Sequence, residues 1–249
     1  MIFRQLFEPS SSTYTYLLAD PENGVAALVD PVLETVDRDL AELQALGVRL
    51  THTIETHVHA DHLTSARKLR HMTGSKVVAP ALDALPCADV GVREGEPLVL
   101  GGITIHPLFT PGHTDTHHAY FVEAGAVPFV LTGDALLIDG CGRTDFQGGD
   151  SRTLWHSIQD KLFALPPDTL VYPGHDYVGR HVSSIAQERT RNPRLAGKTA
   201  DEFVTLMAEL NLPLPRRIQF AVPGNRACGE CPPGVPDELR SPCELGDQG

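Results

Sequence analysis

Near its start the chain alternates residues of strong β tendency. TYTYLLA at 13–19 and the short apolar run VAALVD at 25–30, which ends at Asp30-Pro31, both predict strands. The period then changes. In VDRDLAELQALG (36–47), Leu40, Leu43 and Leu46 recur at helical spacing and Gly47 stops the run. The β-branched stretch RLTHTIE (49–55) predicts a strand again, SARKLRHMTG (65–74) a helix with a glycine stop, and KVVAP (76–80) a strand. LVLGGITIHPLF (98–109) predicts a hairpin turning at Gly101-Gly102. HHAYFVE and VPFVLTGD predict two more strands, SRTLWHSIQDKLFAL (151–165) an amphipathic helix, DTLVYPGHD a strand and its exit, and the rest helix to about 211. The alternation points to an α/β protein, sheets flanked by helices. One domain is expected over 1–249, with a core over about 1–180 and a helical C-terminal extension over about 181–249.

Composition narrows the partners. Of 249 residues, 41% are hydrophobic, enough for a sizeable core, and no apolar run is long enough to predict a membrane span. The start, MIFRQLFEPSSS, lacks the basic and apolar regions of an export signal, so a cytoplasmic protein is expected. A net charge of -12 argues against nucleic acid as a partner. Five cysteines form an odd, sparse set, which predicts reduced thiols. The CxxC of Cys228 and Cys231 is read as a tail feature without catalytic work, and Cys141 as a small buried residue. Trp155 is expected to pack its own helix.

Metal-ligating residues gather where apolar strands end. THVHADHLTSA places His57, His59, Asp61 and His62 after RLTHTIE; His113 follows ITIHPLF; Asp134 follows VPFVL; His175 follows DTLVY. Imidazole nitrogens and a carboxylate suit a divalent first-row metal, and neighbouring Gly and Pro supply turns that expose a side chain. In an extended stretch His57 and His59 point the same way. Asp61 and His62, after a bend, would face a second position. His52, His71, His106, His156 and His181 lie in or at the ends of predicted elements, where structural or surface roles are expected.

As a set, HxHxDH followed by GH, GD and GH resembles the signature of the metallo-β-lactamase superfamily over residues of about 25 to 180. The resemblance implies an αββα sandwich with metal along one edge, and Asp30 matches a position that supports the ligand loop from behind. The longer motifs FEPSSSTYTYLLAD, DPVLET, THVHADHLT, GDALLIDGCGRTDFQGG, YPGHDY, ERTRNPRL and FAVPGN are similar to those of the persulfide dioxygenases of the ethylmalonic encephalopathy protein type. That likeness implies an enzyme with one Fe(II) per chain, oxidising glutathione persulfide with O2 and water to glutathione and sulfite in sulfide detoxification. Carried over residue by residue, the iron ligands would be His57, His113 and Asp134, a facial triad with open positions. His59, Asp61, His62 and His175 would support it, or mark a vestigial second metal site. The same four residues help hold two metals in the glyoxalase II relatives, which hydrolyse glutathione thioesters, so that reading stays open as the alternative.

Arg143, Tyr177 and Arg217 match positions that would face the thiol tripeptide. THH at 116–118 departs from the smaller residues usual in relatives and bears on how the substrate loop is shaped. The likeness also implies a homodimer and a functional link to a rhodanese or a sulfide–quinone oxidoreductase. A third reading, a non-catalytic carrier of sulfur or metal, has no evident need for a complete ligand set.

Overall fold

The computed structural model describes residues 1–123 and 127–234. The chain forms two compact units: Met1–Val92 with Leu100–Gly102 and the described part of Leu214–Gly249, and Arg93–Val99 with Ile103–Pro213.

In the first unit six strands pair in chain order: β1 (Ile2–Glu8), β2 (Thr13–Asp20), β3 (Val25–Val29), β4 (Arg49–Ile54), β5 (Lys76–Pro80) and β6 (Val90–Val92). The first three are antiparallel and β3 to β6 parallel. The parallel crossovers carry α1 (Val36–Leu46) and α2 (Ala66–Thr73), ended as the sequence predicts by Gly47 and Gly74 in the left-handed conformation that glycine adopts without a Cβ penalty. Leu17, Leu28, Leu33, Leu43, Leu50, Leu63, Leu69 and Phe220 form its core.

The second unit holds a mixed sheet in the order β12-β11-β10-β9-β8-β7, with β8 (Ile103–Phe109), β9 (His118–Val122), β10 (Phe129–Gly133) and β11 (Leu170–Pro173) at its centre. The edges are β7 (Leu98–Leu100) and the two-residue β12 (Ser183–Ser184). The hairpin predicted at Gly101-Gly102 joins β7 to β8, and Gly102 donates its N–H to Asp20 at 2.6 Å. Its helices are α3 (Ser151–His156), which runs into a π-helical turn over Ser157–Leu162, α4 (Ile185–Arg191) and α5 (Ala200–Ala208). Leu154, Ile158, Leu162, Val171, Ile185 and Phe203 build the core, and Trp155 packs on Phe203 of α5, 5.3 Å between ring centroids. Of the C-terminal helices, α6 (Ile218–Asn225) belongs to the first unit, with Pro223 inside it.

The α/β class and the two sheets are as expected. The cysteine reading is corrected: Cys87 and Cys228 are disulfide-bonded, so Cys228 is not half of a reduced CxxC pair with Cys231. The partners lie 141 residues apart, a pairing that sequence spacing does not reveal. Cys141 is buried as predicted, and burial pushes its thiol up to about 11. Cys243 lies outside the described residues. No helix among the described residues is long and apolar enough to cross a membrane.

One buried charge shapes the pH response. Burial raises the Asp39 carboxyl from 3.8 to about 6, against the opposing pull of Arg38, which pairs with it at 2.7 Å. The folded chain therefore holds this proton more tightly than the unfolded chain. The contribution to stability is complete below 3.8 and is lost as pH rises through 6. Unfolding midpoints measured from pH 3.5 to 7 should show Asp39→Asn flattening that slope by up to about 3 kcal/mol; an unchanged slope would place the proton elsewhere.

Candidate metal centre

Parallel strand pairs explain why ligands cluster. Neighbouring parallel strands leave the sheet at the same edge, where α/β proteins build their sites. In the first unit β3 exits at Asp30 and β4 at Glu55, and Asp30 donates its backbone N–H to the Ile54 carbonyl at 2.9 Å. In the second, β10 exits at Asp134 and β11 at His175, and Gly174 donates to the Gly133 carbonyl at 2.8 Å. A register shift between Leu131 and Gly133 bulges β10 just before Asp134, a device that re-aims a side chain.

His57, His59 and His62 are buried in the first unit, and Asp61 is partly so. The protons can be placed by following the donors. The Thr56 hydroxyl gives its single hydrogen to Asp30 Oδ2 at 2.9 Å, so it accepts from His57 Nδ1 at 2.9 Å. His57 Nε2 is then the nitrogen with a lone pair. Asp30 Oδ1 accepts from the Thr56 N–H at 2.7 Å and from His59 Nε2 at 3.1 Å, with Glu55 Oε2 3.4 Å from the same nitrogen. Burial disfavours a charged His59, but the two carboxylates outweigh it and hold His59 well above its ordinary value. His62 Nδ1 lies 3.0 Å from Asp61 Oδ2 and 3.4 Å from Thr13 Oγ1.

Ligand atoms of His59, Asp61 and His62 lie within 4.8 Å of one another, as do those of Asp30, Glu55 and His59. The other two ring nitrogens, His59 Nδ1 and His62 Nε2, are buried without a hydrogen-bond partner. Buried polar atoms rarely stay so; His62 Nε2, whose ring donates through Nδ1 to Asp61, fits a cation as it stands, while His59 Nδ1 could ligate only once its proton is displaced.

The second unit holds His113, Asp134 and His175. His113 Nδ1 donates to the Arg143 carbonyl at 2.7 Å, which leaves Nε2 as the lone-pair nitrogen, 3.5 Å from Asp134 Oδ2. Adjacent ligands on one first-row metal sit about 3 Å apart, given metal–ligand bonds of about 2.1 Å. His175 Nδ1 donates to Asp134 Oδ1 at 2.6 Å. His117 is a positioning residue that sequence reading did not identify. Its Nε2 accepts the Asp134 N–H at 3.1 Å, so its Nδ1–H points to Thr110 Oγ1 at 2.9 Å. Gly142 completes the support, since a Cβ there would lie 2.2 Å from the Asp134 carbonyl oxygen and 2.8 Å from His113 Nδ1.

The three residues expected to meet substrate differ in exposure. Tyr177 is 70% exposed and stacks on His175 at 6.1 Å. Arg143 donates to both Asp145 oxygens at 2.6 Å and to the carbonyls of Leu212 and Pro213. Arg217 is paired with Glu34.

Known proteins match this chain closely. The family model described as the metallo-beta-lactamase superfamily matches residues 10–175. A human mitochondrial persulfide dioxygenase is 46% identical over 230 residues, covering 92% of this chain and 89% of its own. A hydroxyacylglutathione hydrolase of Fuscovulum blasticum is 36% identical, covering 81% of this chain and 77% of its own. Among solved structures, ETHE1 from Myxococcus xanthus superposes with a TM-score of 0.89 at 52% identity, covering 92% of this chain and all of that one.

Proposed function

This chain belongs to the metallo-β-lactamase superfamily, and we propose that within it the protein is a persulfide dioxygenase that uses one iron ion to oxidise glutathione persulfide. The observation that carries the reading is the 46% identity to a persulfide dioxygenase over 92% of the chain, against 36% over 81% for the hydrolase. The donor set agrees: two imidazoles and one carboxylate make the facial triad typical of non-haem iron oxygenases. The iron ligands carried over from the family likeness would be His57, His113 and Asp134, each histidine through Nε2. When bound, the iron supplies the redox exchange with O2 that zinc lacks.

The chain's own residues prepare that seat. Thr56 and the Arg143 carbonyl keep the protons of His57 and His113 on Nδ1. His175 occupies Asp134 Oδ1 and leaves Oδ2 as the ligating oxygen. His59 turns Nε2 to Asp30 and Glu55, bracing the loop from behind. Tyr177 is the accessible contact for the tripeptide. Arg143 and Arg217 would take a carrier carboxylate in place of Asp145 and Glu34, an exchange of one charge-assisted pair for another.

The group of His59, Asp61 and His62, with its orphaned nitrogens, favours a second reading: a two-metal hydrolase of glutathione thioesters. Anaerobic purification, metal analysis and an oxygen electrode separate the two. About one iron per chain, with O2 uptake and sulfite release on adding glutathione persulfide, is expected. Two zinc-class ions per chain with thioester hydrolysis in the absence of O2 would replace the dioxygenase by the hydrolase.

A further inference from the structure

FAVPGN, at 220–225, ends in a side chain that reaches the ligand loop across more than 160 residues of sequence. Asn225 is 3% exposed, and its amide is used almost completely. Its Oδ1 accepts the Thr64 N–H at 2.9 Å, while Nδ2 donates to the His59 carbonyl at 2.9 Å and the His62 carbonyl at 2.8 Å. One amide therefore ties both ends of the bend on which Asp61 and His62 sit. All three partners are backbone groups, so the contact sets the path of the loop.

The surrounding chain is shaped to bring that amide in. A Cβ at Gly224 would lie 2.6 Å from Leu63 Cδ2, and one at Gly229 would lie 2.1 Å from the Thr64 carbonyl oxygen. At Gly229, with φ +94° and a backbone oxygen as the crowded atom, only glycine permits the approach. Arg67 donates its N–H to the Cys228 carbonyl at 3.0 Å, and the Cys87–Cys228 bond anchors the segment three residues beyond Asn225. On the opposite side the loop is held by Leu33 N–H to the Leu63 carbonyl and Ser65 N–H to the Pro31 carbonyl, both at 2.9 Å. Asn225 is the side chain that closes the second side.

We infer that Asn225 is a positioning residue for the candidate metal-binding loop, fixing through three backbone hydrogen bonds the bend that begins at His59 and presents Asp61 and His62. The inference rests on the proposed reading that this loop holds metal. A carboxylate at 225 would keep the volume and the bond from Thr64, but would set an oxygen against two carbonyl oxygens. The loop would part from α6 at 59 and 62 while the rest of the fold remained.

Cobalt(II) is the probe. Full-length apoprotein, Asn225→Asp, Asn225→Ser and the core control Leu43→Ala are each titrated with Co(II) against a chromophoric chelator, with visible spectra and melting temperatures recorded. Asn225→Asp should bind Co(II) about 10–100-fold more weakly with altered visible bands, the range seen when support behind metal ligands is removed. Asn225→Ser, whose hydroxyl can still donate to one carbonyl, should lose less and gives the answer if the aspartate variant does not fold. Leu43→Ala should melt lower yet keep wild-type affinity and bands. Asn225 variants that melt lower with wild-type affinity and bands would overturn the inference and leave the residue a structural tie. A wild-type chain that takes up no Co(II) would instead overturn the metal reading itself.

Discussion

Asp134→Asn should leave a folded protein that retains almost no iron and almost no persulfide-dependent O2 uptake. The side chain keeps its size, and the backbone bonds persist: Asp134 N–H to His117 Nε2 at 3.1 Å and Gly142 N–H to the Asp134 carbonyl at 2.8 Å. What changes is where lone pairs point. His175 Nδ1–H still needs an acceptor at 2.6 Å, so the new amide turns its oxygen there. Its NH2 group then faces His113 Nε2, where Asp134 Oδ2 now lies 3.5 Å away. An NH2 group is only a donor and cannot ligate. The metal would also lose a full negative charge from its neighbourhood. The fall in activity should exceed the roughly 10–100-fold typical of residues behind the ligands, while the metal-free unfolding midpoint moves little. Metal analysis and an oxygen electrode test this directly. An Asp134→Asn variant that loads iron and turns over at the wild-type rate would remove Asp134 from the ligand set.

Much of the candidate site was readable because its candidate ligands lie at strand exits and the strands are marked by local pattern. His57, His113, Asp134 and His175 each follow an apolar run by one to four residues, and each run forms the strand it predicts. The groups that orient those side chains were less legible, since their partners are distant in sequence or are backbone atoms. His113 takes its orientation from a carbonyl 30 residues on, and Asn225 acts from 161 to 166 residues away. His117 drew notice only as a departure from the smaller residues of relatives; its bond to the Asp134 backbone depends on strand pairing between β9 and β10. The strand β12, two serines long, has no apolar signal at all, because it only pairs with the edge of β11. The Cys87–Cys228 bond was hidden for the same reason of distance.

The placement of protons makes Asp30 the residue whose change should reach furthest from its own position. Its φ of 49° lies in the left-handed region, which asparagine tolerates as well as aspartate does, so Asp30→Asn introduces no new backbone strain. The carboxylate now accepts three hydrogen bonds, from the Thr56 N–H, the Thr56 hydroxyl and His59 Nε2. An amide can keep the bonds at Oδ1 and turn NH2 toward Thr56. The Thr56 hydroxyl must then accept from residue 30, so its hydrogen swings to His57 Nδ1, which must become an acceptor. That moves the His57 proton to Nε2, the nitrogen assigned to the metal. His59 keeps only Glu55, at 3.4 Å, as a carboxylate partner. Metal affinity should fall about 10–100-fold, and the metal-free protein should lose about 1–3 kcal/mol from the weakened buried bonds. Chelator competition measures the first and urea unfolding the second. A variant that loses stability but keeps its iron affinity would show that Thr56 does not transmit the state of residue 30 to His57. Loss of both is the result expected if residue 30 sets, through Thr56, which nitrogen of His57 carries the proton.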